Sequence, residues 1–222
     1  MKGYKMATTV AAPRKVLLTP KFRVSFPSVF TKSQYGDSAP SYSLVGLFYP
    51  KTFTDDEKTK WVAIKQQLDA VSRETFKKGW KELDRGIYKT PYHKGDEKSY
   101  EGYGSPDMIY FRMANANFRP QILTLDGTKI TAENANTEEF YAGCWARASV
   151  NPFANLKWKS LSIGLGNLQK IKDDASFEGR TNAEDDFSGD AAEFETGAGD
   201  DDFEVGGTAK TAVADDDDDP TA

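Results

Sequence analysis

Residues 139–150, with the sequence EFYAGCWARASV, constrain the fold more than any other stretch of the chain. In a β-strand, successive side chains point to opposite faces of the sheet. One face of this stretch is small and apolar and suits a packed core: Phe140, Ala142, Cys144, Ala146, Ala148 and Val150. The other face carries two large rings and a guanidinium group: Tyr141, Trp145 and Arg147. This alternation predicts a β-strand with one face in the core.

The second face has the side chains of a stacking surface for unpaired bases. Each base offers a flat π-face to an aromatic ring, and each nucleotide carries a charge that a cation can contact. The alternative is that Tyr141 and Trp145 pack beneath a loop or a helix. A stacking surface would require the same pattern on other strands, so the rest of the chain discriminates between the two interpretations.

Further strands are predicted over residues 16–26, 41–49, 107–114 and 156–165. A cationic face recurs in the first of them and the pairing of an aromatic residue with arginine in the third, whereas the mixed alternation of residues 41–49 leaves its two faces unassigned. In the first of these strands, the apolar side is formed by Leu18, Phe22, Val24 and Phe26. The strands also carry further candidates for stacking on bases and for contacts with phosphates: Lys21, Arg23, Tyr110, Arg112, Lys157, Trp158 and Lys159. The pair Asp126-Gly127 is a strong tight-turn signal and predicts a hairpin over residues 121–131.

One long helix is predicted over residues 54–83. Thr54 and Glu57 have the spacing of a capping box, and apolar residues follow at helical intervals. The far end of the helix is basic, and Lys77 and Lys81 are candidate phosphate contacts there. The alternative is that these charges only complement the negative end of the helix.

The loop that follows, residues 85–106, is longer than is usual for a compact domain, and long loops are commonly functional or mobile. It interleaves tyrosines and lysines with glycines. If it closes over a nucleic acid strand, Tyr92 is its candidate stacking residue, and Lys89 and Lys94 are its candidate phosphate contacts. The alternative is a tethered surface loop with no part in binding.

Five to seven strands with one long helix between the early ones indicate a mainly β domain rather than an alternating parallel sheet. We predict a five-stranded OB-fold barrel with one long inserted helix. The predicted domain spans residues 15–175 and follows a disordered N-terminus at residues 1–14. Residues 176–222 are acidic, rich in small residues and predicted to be a disordered tail.

The net charge of −5 conceals two regions of opposite sign. Residues 181–222 carry fifteen acidic residues and one lysine, a net charge of −14, and residues 1–180 carry 28 basic and 19 acidic residues, a net charge of +9. The basic body suits a polyanionic ligand, and the acidic tail could compete with that ligand for the body.

Motifs of catalysis are missing from the sequence, which has no phosphate-binding loop and no nucleophile elbow. One cysteine and one histidine exclude an internal disulfide and the usual Cys/His zinc sites. No apolar stretch approaches the ~18 residues of a membrane span, and no signal-peptide pattern opens the chain. We therefore expect a binding protein of a reducing cytoplasm, not an enzyme, with no cofactor, no metal and no membrane partner.

Six short motifs along the chain can be compared with those of known proteins. In chain order they are Arg23-Val24-Ser25-Phe26-Pro27-Ser28-Val29-Phe30, Tyr92-His93-Lys94-Gly95-Asp96, Tyr141-Ala142-Gly143-Cys144-Trp145, Gly164-Leu165-Gly166-Asn167-Leu168-Gln169-Lys170-Ile171, Gly179-Arg180 and Ala183-Glu184-Asp185-Asp186-Phe187. Their order and spacing resemble those of phage single-stranded DNA-binding proteins with an OB fold, distant relatives of the protein of phage T7. The resemblance extends over residues 15–187.

The resemblance implies sequence-independent binding of single-stranded DNA in phage replication or recombination, in the cytoplasm of the infected bacterial host. It also implies a tail that competes with DNA and recruits replication proteins, and it leaves a homo-oligomer open. Tails of this type often finish with an acidic run and an aromatic residue, whereas this chain finishes Asp219-Pro220-Thr221-Ala222. The candidate partner-binding residues of the tail are Asp186, Phe187, Asp202, Phe203, Asp215 and Asp219.

Three alternatives make different predictions. A protein-interaction module whose acidic tail mimics nucleic acid would have no affinity for oligonucleotides at physiological salt. A recombination nuclease would cleave DNA in the presence of a metal ion, but the sequence offers no cluster of metal ligands for it. A tail that only keeps the protein soluble would have no partner.

Overall fold

The structure is a computed structural model, and it describes residues 16–34, 36, 38–131 and 139–177. Within these ranges the helix α1 (Asp55–Phe76) is accompanied by short 3-10 helices at Pro50–Thr52, Trp80–Glu82 and Gly95–Glu97. The strands are β1 (Leu17–Leu18), β2 (Phe22–Ser33), β3 (Ser41–Phe48), β4 (His93–Lys94), β5 (Ile109–Asn115), β6 (Ile122–Leu123), β7 (Lys129–Ile130), β8 (Trp145–Asn155) and β9 (Ser160–Lys172).

Backbone pairing joins five of the strands into a closed circuit. Strand β2 pairs with β3, β3 with β5, β5 with β9, β9 with β8, and β8 again with β2. Only the β5–β9 pair of this circuit is parallel. Strands β1, β4 and β6 attach to β8, β5 and β9, respectively. In the described part of the chain, the prediction of a mainly β domain with one α-helix between early strands is confirmed.

The core lies inside the circuit and beneath α1. The alternation of residues 139–150 is confirmed, because every side chain of its small apolar face is buried. Helix α1 adds Trp61, Ile64 and Leu68 to the same core. Burying a large apolar side chain stabilises the fold by roughly 1.5–3 kcal/mol. The strand itself starts only at Trp145, because Gly143 takes a positive φ of 109° in the turn before it.

The start of α1 agrees with its prediction and the end does not. The Thr54 side chain accepts a hydrogen bond from the Glu57 backbone N–H (3.3 Å), and the Glu57 carboxylate accepts one from the Thr54 N–H (2.9 Å). The capping box is therefore confirmed. The predicted end at residue 83 is wrong, because Lys77 turns into the left-handed conformation with φ 62° and the chain reverses there. Residues 80–82 form a separate 3-10 turn.

Two apolar side chains of the first predicted strand do not lie in the core. The register between β2 and β3 shifts between Ser25 and Ser28, and Phe26 takes a φ of 47° there. An extra residue in one strand reverses the alternation, so Phe26 is exposed. Leu18 is exposed as well, because it belongs to the separate strand β1. The prediction that these two side chains share one apolar side with Phe22 and Val24 is therefore wrong, because only Phe22 and Val24 are buried.

The predicted hairpin over residues 121–131 is confirmed as strands β6 and β7. Gly127 has a φ of 86°, and the Asp126 carboxylate accepts a hydrogen bond from the Thr128 N–H at 2.9 Å. Among the described residues, no helix has the length and apolar character needed to cross a membrane. The chain divides into residues 1–180 and residues 181–222, and the second part lies outside the described residues.

Candidate nucleic-acid interface

The outer face of the sheet carries one continuous row of paired residues across five strands. The row runs through Trp145, Arg23, Leu47, Tyr110 and His93, each of which is the direct partner of the next. The alternate residues of the same strands, such as Val24 and Phe111, are fully buried. Since side chains alternate along a strand, this row points outward. We call this surface the outer face.

A groove of about 700 Å³ lies on the outer face beside this row. The next row of paired residues, Ser25, Val45 and Arg112, crosses the same strands two positions along. Val45 and Arg112 lie in the groove, and its other wall comes from the loop of residues 91–103 and from the β8–β9 hairpin. The aromatic side chains that line the groove are Phe26, His93, Tyr100, Tyr103, Tyr110 and Phe153. The charged and polar ones include Lys98, Arg112, Gln34, Ser28, Ser33, Ser43 and Ser162.

Five of the aromatic side chains form a ladder along one wall of the groove. Phe26 meets Tyr100 edge to face with ring centroids 5.3 Å apart, and Tyr100 meets Tyr103 in the same way at 5.8 Å. Tyr103 then meets the edge of Tyr110 at 5.2 Å, and Tyr110 stacks on His93 at 5.2 Å. Burial raises the pKa of Tyr103 to about 12, so this hydroxyl is neutral at physiological pH.

The outer end of the ladder is open. Phe26 is 55% exposed and Tyr100 is 56% exposed, whereas Tyr110 is buried beneath its neighbours. A positive φ at a bulky residue such as Phe26 costs of order 1–3 kcal/mol and persists only where the surrounding structure imposes it. The structure therefore holds two large exposed rings in the lining of the groove, which also includes Arg112. The Arg112 guanidinium donates a hydrogen bond to the Ser41 hydroxyl at 2.9 Å. This arrangement can accept a flat ring and an anion together.

Four of the predicted site residues meet at the tip of the β8–β9 hairpin. Trp158 is 65% exposed, and the Lys157 ammonium lies 5.3 Å from its ring centroid. The Lys89 N–H donates a hydrogen bond to the Lys159 carbonyl at 3.0 Å, which joins the loop of residues 85–106 to this tip. Since Phe153 and Ser162 of the same hairpin line the groove, the tip borders the groove.

The rings at the start of β8 lie beneath a segment of the chain, which we call the strap (residues 173–177). The Tyr141 hydroxyl lies 2.9 Å from a carboxylate oxygen of Asp173, and the Trp145 indole N–H donates to the Asp174 carboxylate at 2.6 Å. The hydrogen bond from Trp145 lowers the pKa of Asp174, which is therefore ionised at neutral pH. Packing beneath another segment is the alternative arrangement that the sequence left open.

Arg23 and Arg147 have partners within the protein. Arg23 donates hydrogen bonds to the carbonyls of Gly143 (3.0 Å) and Ala175 (2.7 Å). Arg147 donates to the Gln169 side chain on β9 at 2.8 Å. Both guanidinium groups thus have fixed positions at the side of the outer face that carries the strap.

Three predicted phosphate contacts lie on or beside α1 and do not line the groove. The Lys21 ammonium is 4.0 Å from the Glu57 carboxylate. The Lys77 ammonium donates to the Glu74 carbonyl in the last turn at 2.8 Å. The Lys81 ammonium lies 5.9 Å from the Trp80 ring centroid. Lys94 is exposed on β4 next to His93 of the groove wall.

Tyr92 belongs to the core. It is 6% exposed, and its ring contacts Trp61 (5.2 Å), Trp80 (5.1 Å) and Phe111 (5.2 Å). No face of the ring is left for a base, so the prediction that Tyr92 stacks on a nucleotide conflicts with its position. The tail candidates Asp186, Phe187, Asp202, Phe203, Asp215 and Asp219 lie outside the described residues.

The groove contains residues that sequence reasoning did not select, above all Phe26, Tyr100 and Phe153. One signal could have indicated Phe26. Pro27 directly follows the predicted strand, and a proline within or at the end of a strand marks an edge or a bulge, which would place its neighbour outside the alternation. For Tyr100 the signal was the run of tyrosines, lysines and glycines in the loop of residues 85–106, from which only Tyr92 was selected as a stacking residue. For Phe153 no local signal exists, because the groove forms from segments far apart in the sequence.

The chain belongs to the family of the single-stranded DNA-binding protein of Enterobacter phage Enc34, whose family model matches residues 15–202. The resemblance to phage single-stranded DNA-binding proteins is thereby confirmed. A search among curated proteins gave no match.

Solved structures of the Enc34 protein share this fold. Its complex with single-stranded DNA matches with a TM-score of 0.58 and 20% identity, over 72% of this chain and 88% of that one. Another structure of the Enc34 protein matches with a TM-score of 0.56 and 22% identity, over 77% of this chain and 88% of that one. The single-stranded DNA-binding protein of bacteriophage T7 matches with a TM-score of 0.47 and 12% identity, over 88% of this chain and 99% of that one.

Proposed function

We propose that this protein binds single-stranded DNA, without sequence preference, along the groove of the outer face. The observation that carries the proposal is the aromatic ladder, whose two half-exposed rings, Phe26 and Tyr100, line the groove together with Arg112. Aromatic rings stack on any base, and cations follow the phosphate backbone, so such a groove binds single strands irrespective of sequence. The family supports the same ligand, since its Enc34 member has been solved in complex with single-stranded DNA.

The order of the strands supports an OB barrel. The circuit β2–β3–β5–β9–β8 makes β3 and β5 the second and third strands of the barrel. OB folds bind oligonucleotides on the face of strands two and three, between the loops that follow strands one and four. Here the second and third strands, β3 and β5, carry Val45 and Arg112. The connection from β2 to β3 contains Gln34, and the connection from β8 to β9 contains Trp158. We interpret the circuit as an OB barrel with α1 inserted between its second and third strands.

The proposed roles follow from exposure. Phe26, Tyr100 and Trp158 stack on bases, because each of these rings at the groove and its border is more than half exposed. Arg112, Lys98 and the lysines of the hairpin tip contact phosphates. Tyr110 supports the ladder from beneath, and Tyr92 has a structural role only.

The acidic tail is proposed to compete with DNA and to recruit phage replication or recombination proteins. The support is the opposite charge of residues 1–180 (+9) and residues 181–222 (−14), whose attraction weakens as salt increases. The setting we propose is the cytoplasm of the infected host. We propose a binding role without catalysis or cofactor, and formation of a homo-oligomer is left to measurement.

The test is fluorescence anisotropy of a labelled single strand of about 16 nucleotides, the upper range of an OB site, and of the matching duplex. Full-length protein and a variant lacking residues 181–222 are titrated at two salt concentrations. We expect the single strand to bind more tightly than the duplex, with higher affinity after tail removal and lower affinity at higher salt.

Three other outcomes would contradict parts of the proposal. A lack of affinity for either oligonucleotide, with both proteins folded, would contradict DNA binding and favour the protein-interaction module. Cleavage of the oligonucleotide on addition of Mg²⁺ would favour the nuclease. Equal affinity with and without the tail at low salt would contradict only the proposed competition between tail and DNA, and would leave the proposal of DNA binding intact.

A further inference from the structure

The strap occupies side chains that would suit a nucleotide. Trp145 donates its indole N–H to Asp174 (2.6 Å), and Arg23 donates to the Ala175 carbonyl (2.7 Å). The Tyr141 hydroxyl contacts the same segment at 2.9 Å. Two aromatic side chains and one guanidinium on the outer face are therefore engaged by one short stretch of the chain.

The groups that the strap presents are a carboxylate and an aromatic ring. The Asp174 carboxylate lies 3.9 Å from the Arg23 guanidinium, and the Phe177 ring lies 4.3 Å from it, measured to the ring centroid. A nucleotide offers the same two features, since its phosphate is an anion and its base is a flat π-system. Arg guanidinium groups both pair with phosphates and stack on rings.

We propose that Arg23, Tyr141 and Trp145 form a second nucleotide subsite on the outer face, which the strap fills in the protein without DNA. A single strand long enough to leave the groove displaces Asp174 and Phe177 and takes their place. This inference rests on the proposed function, because it extends the path of the DNA beyond the groove. The strap precedes the strongly acidic residues 181–222, although its last two residues belong to the predicted tail of residues 176–222.

The second subsite adjoins the groove. Arg23 lies in the same paired row as Tyr110, and Tyr110 lines the groove. Phe177 packs on the small outer cluster of Leu47, Met108 and Tyr110, where Tyr103 of the groove wall packs as well. A strand that passes Tyr103 on its way out of the groove therefore meets Phe177 next.

The strap is anchored at both ends, at Asp173 and where the Phe177 N–H donates a hydrogen bond to the Ala142 carbonyl (3.0 Å), and its charged side chains remain accessible to solvent. The buried Lys170 holds Asp173 at 2.7 Å, while 61% of the Asp173 side chain and 37% of the Asp174 side chain remain exposed. Gly143 permits the close approach, because a Cβ there would lie 2.2 Å from the Ala175 carbonyl oxygen. Contacts of exposed charges weaken with salt and can exchange with those of another anion.

The test compares the full-length protein with a strap variant, Asp174→Asn combined with Phe177→Ala. Affinity is measured for single strands of about 4 and about 16 nucleotides, the limits of an OB site. We expect the strap variant to bind the longer strand about three- to tenfold more tightly, the effect of freeing one or two hydrogen bonds, and to bind the shorter strand unchanged. Glu74→Gln, which removes one charge from the exposed side of α1, is the control for net charge.

A second step assigns the gain to the subsite. Adding Trp145→Ala to the strap variant should abolish the gain for the longer strand while melting curves show both proteins folded. The inference is overturned if the strap variant binds the longer strand no more tightly than the parent. It is also overturned if the gain persists without Trp145, or if Glu74→Gln gives the same gain. Failure of the parent to bind either strand would instead contradict the proposed function.

Discussion

Tyr100 provides the sharpest test of the groove, because its ring can be removed without disturbing the core. The side chain is 56% exposed and its ring makes edge-to-face contacts with Phe26 and Tyr103. A base stacked on an aromatic ring contributes about 1–3 kcal/mol by alanine substitution. Tyr100→Ala should therefore raise the Kd for single-stranded DNA about 5- to 150-fold, at a factor of ten for about 1.4 kcal/mol.

The same substitution should change stability little. Aromatic pairs contribute about 0.5–1.5 kcal/mol each beyond their buried area, and at an exposed site the lower value applies. We expect a loss of about 1 kcal/mol in the free energy of unfolding, small against the about 5–15 kcal/mol of a typical domain. A ring that stacks on DNA should thus lose much affinity and little stability when it is removed. A ring that only packs within the protein should lose stability without a change in the affinity of the folded protein.

Two matched variants accompany this measurement by anisotropy and thermal melting. Tyr100→Phe keeps the ring and should bind like the parent. Phe118→Ala removes another ring, one that is 73% exposed and does not line the groove, and should leave affinity unchanged. Unchanged affinity for Tyr100→Ala, or an equal loss for Phe118→Ala, would refute the assignment of the groove.

Other substitutions test single contacts. Arg112→Ala should flatten the dependence of log K on log salt by about 0.7, the value for one lost phosphate contact on a single strand, and an unchanged slope in anisotropy titrations would exclude the contact. Tyr92→Phe should bind DNA like the parent and unfold at the same or a higher temperature, because the buried Tyr92 hydroxyl has no hydrogen-bond partner among the described residues and its burial is costly. Weaker DNA binding by folded Tyr92→Phe would contradict a structural role. Burial would raise the pKa of Asp173, but the hydrogen bonds from Lys170 and Tyr141 and the charge of Lys170 together outweigh it and leave that pKa below the usual value. The ion pair therefore stabilises the fold above the unfolded pKa and is lost as pH falls through the folded one. Asp173→Asn should accordingly melt below the parent at about pH 6 and converge with it at about pH 2, and an equal difference at both pH values would refute the linkage.

Local signals in the sequence were sufficient to predict where the helix starts and which side chains of residues 139–150 face the core. The capping box involves Thr54 and Glu57, three positions apart, and the alternation of small apolar residues needs no information from other strands. The hairpin at Asp126-Gly127 was predictable for the same reason, since a tight turn is decided by its own residues.

The groove could not be predicted, because it depends on contacts between distant segments. Tyr100 lies 74 positions after Phe26 in the sequence yet contacts its ring at 5.3 Å, and only the β2 bulge brings Phe26 outward. Tyr92 illustrates the opposite error. A tyrosine in a long polar loop suggests a surface position, but the loop passes over the core and places this ring between Trp61 and Trp80.

Closure of the strand circuit has a consequence for the synthesis of the protein. Arg23 pairs with Trp145, and β8 pairs along most of its length with β9, which ends at Lys172. Contacts of such large sequence separation make folding slow, on the scale of milliseconds to seconds. A nascent chain cannot close the circuit until β9 has left the ribosome, so β2, β3 and β5 can pair with one another before the contacts of β2 with β8 and of β5 with β9 form. Because the residues after 172 are synthesised last, the acidic tail cannot contact the basic body until all strands of that body have been synthesised.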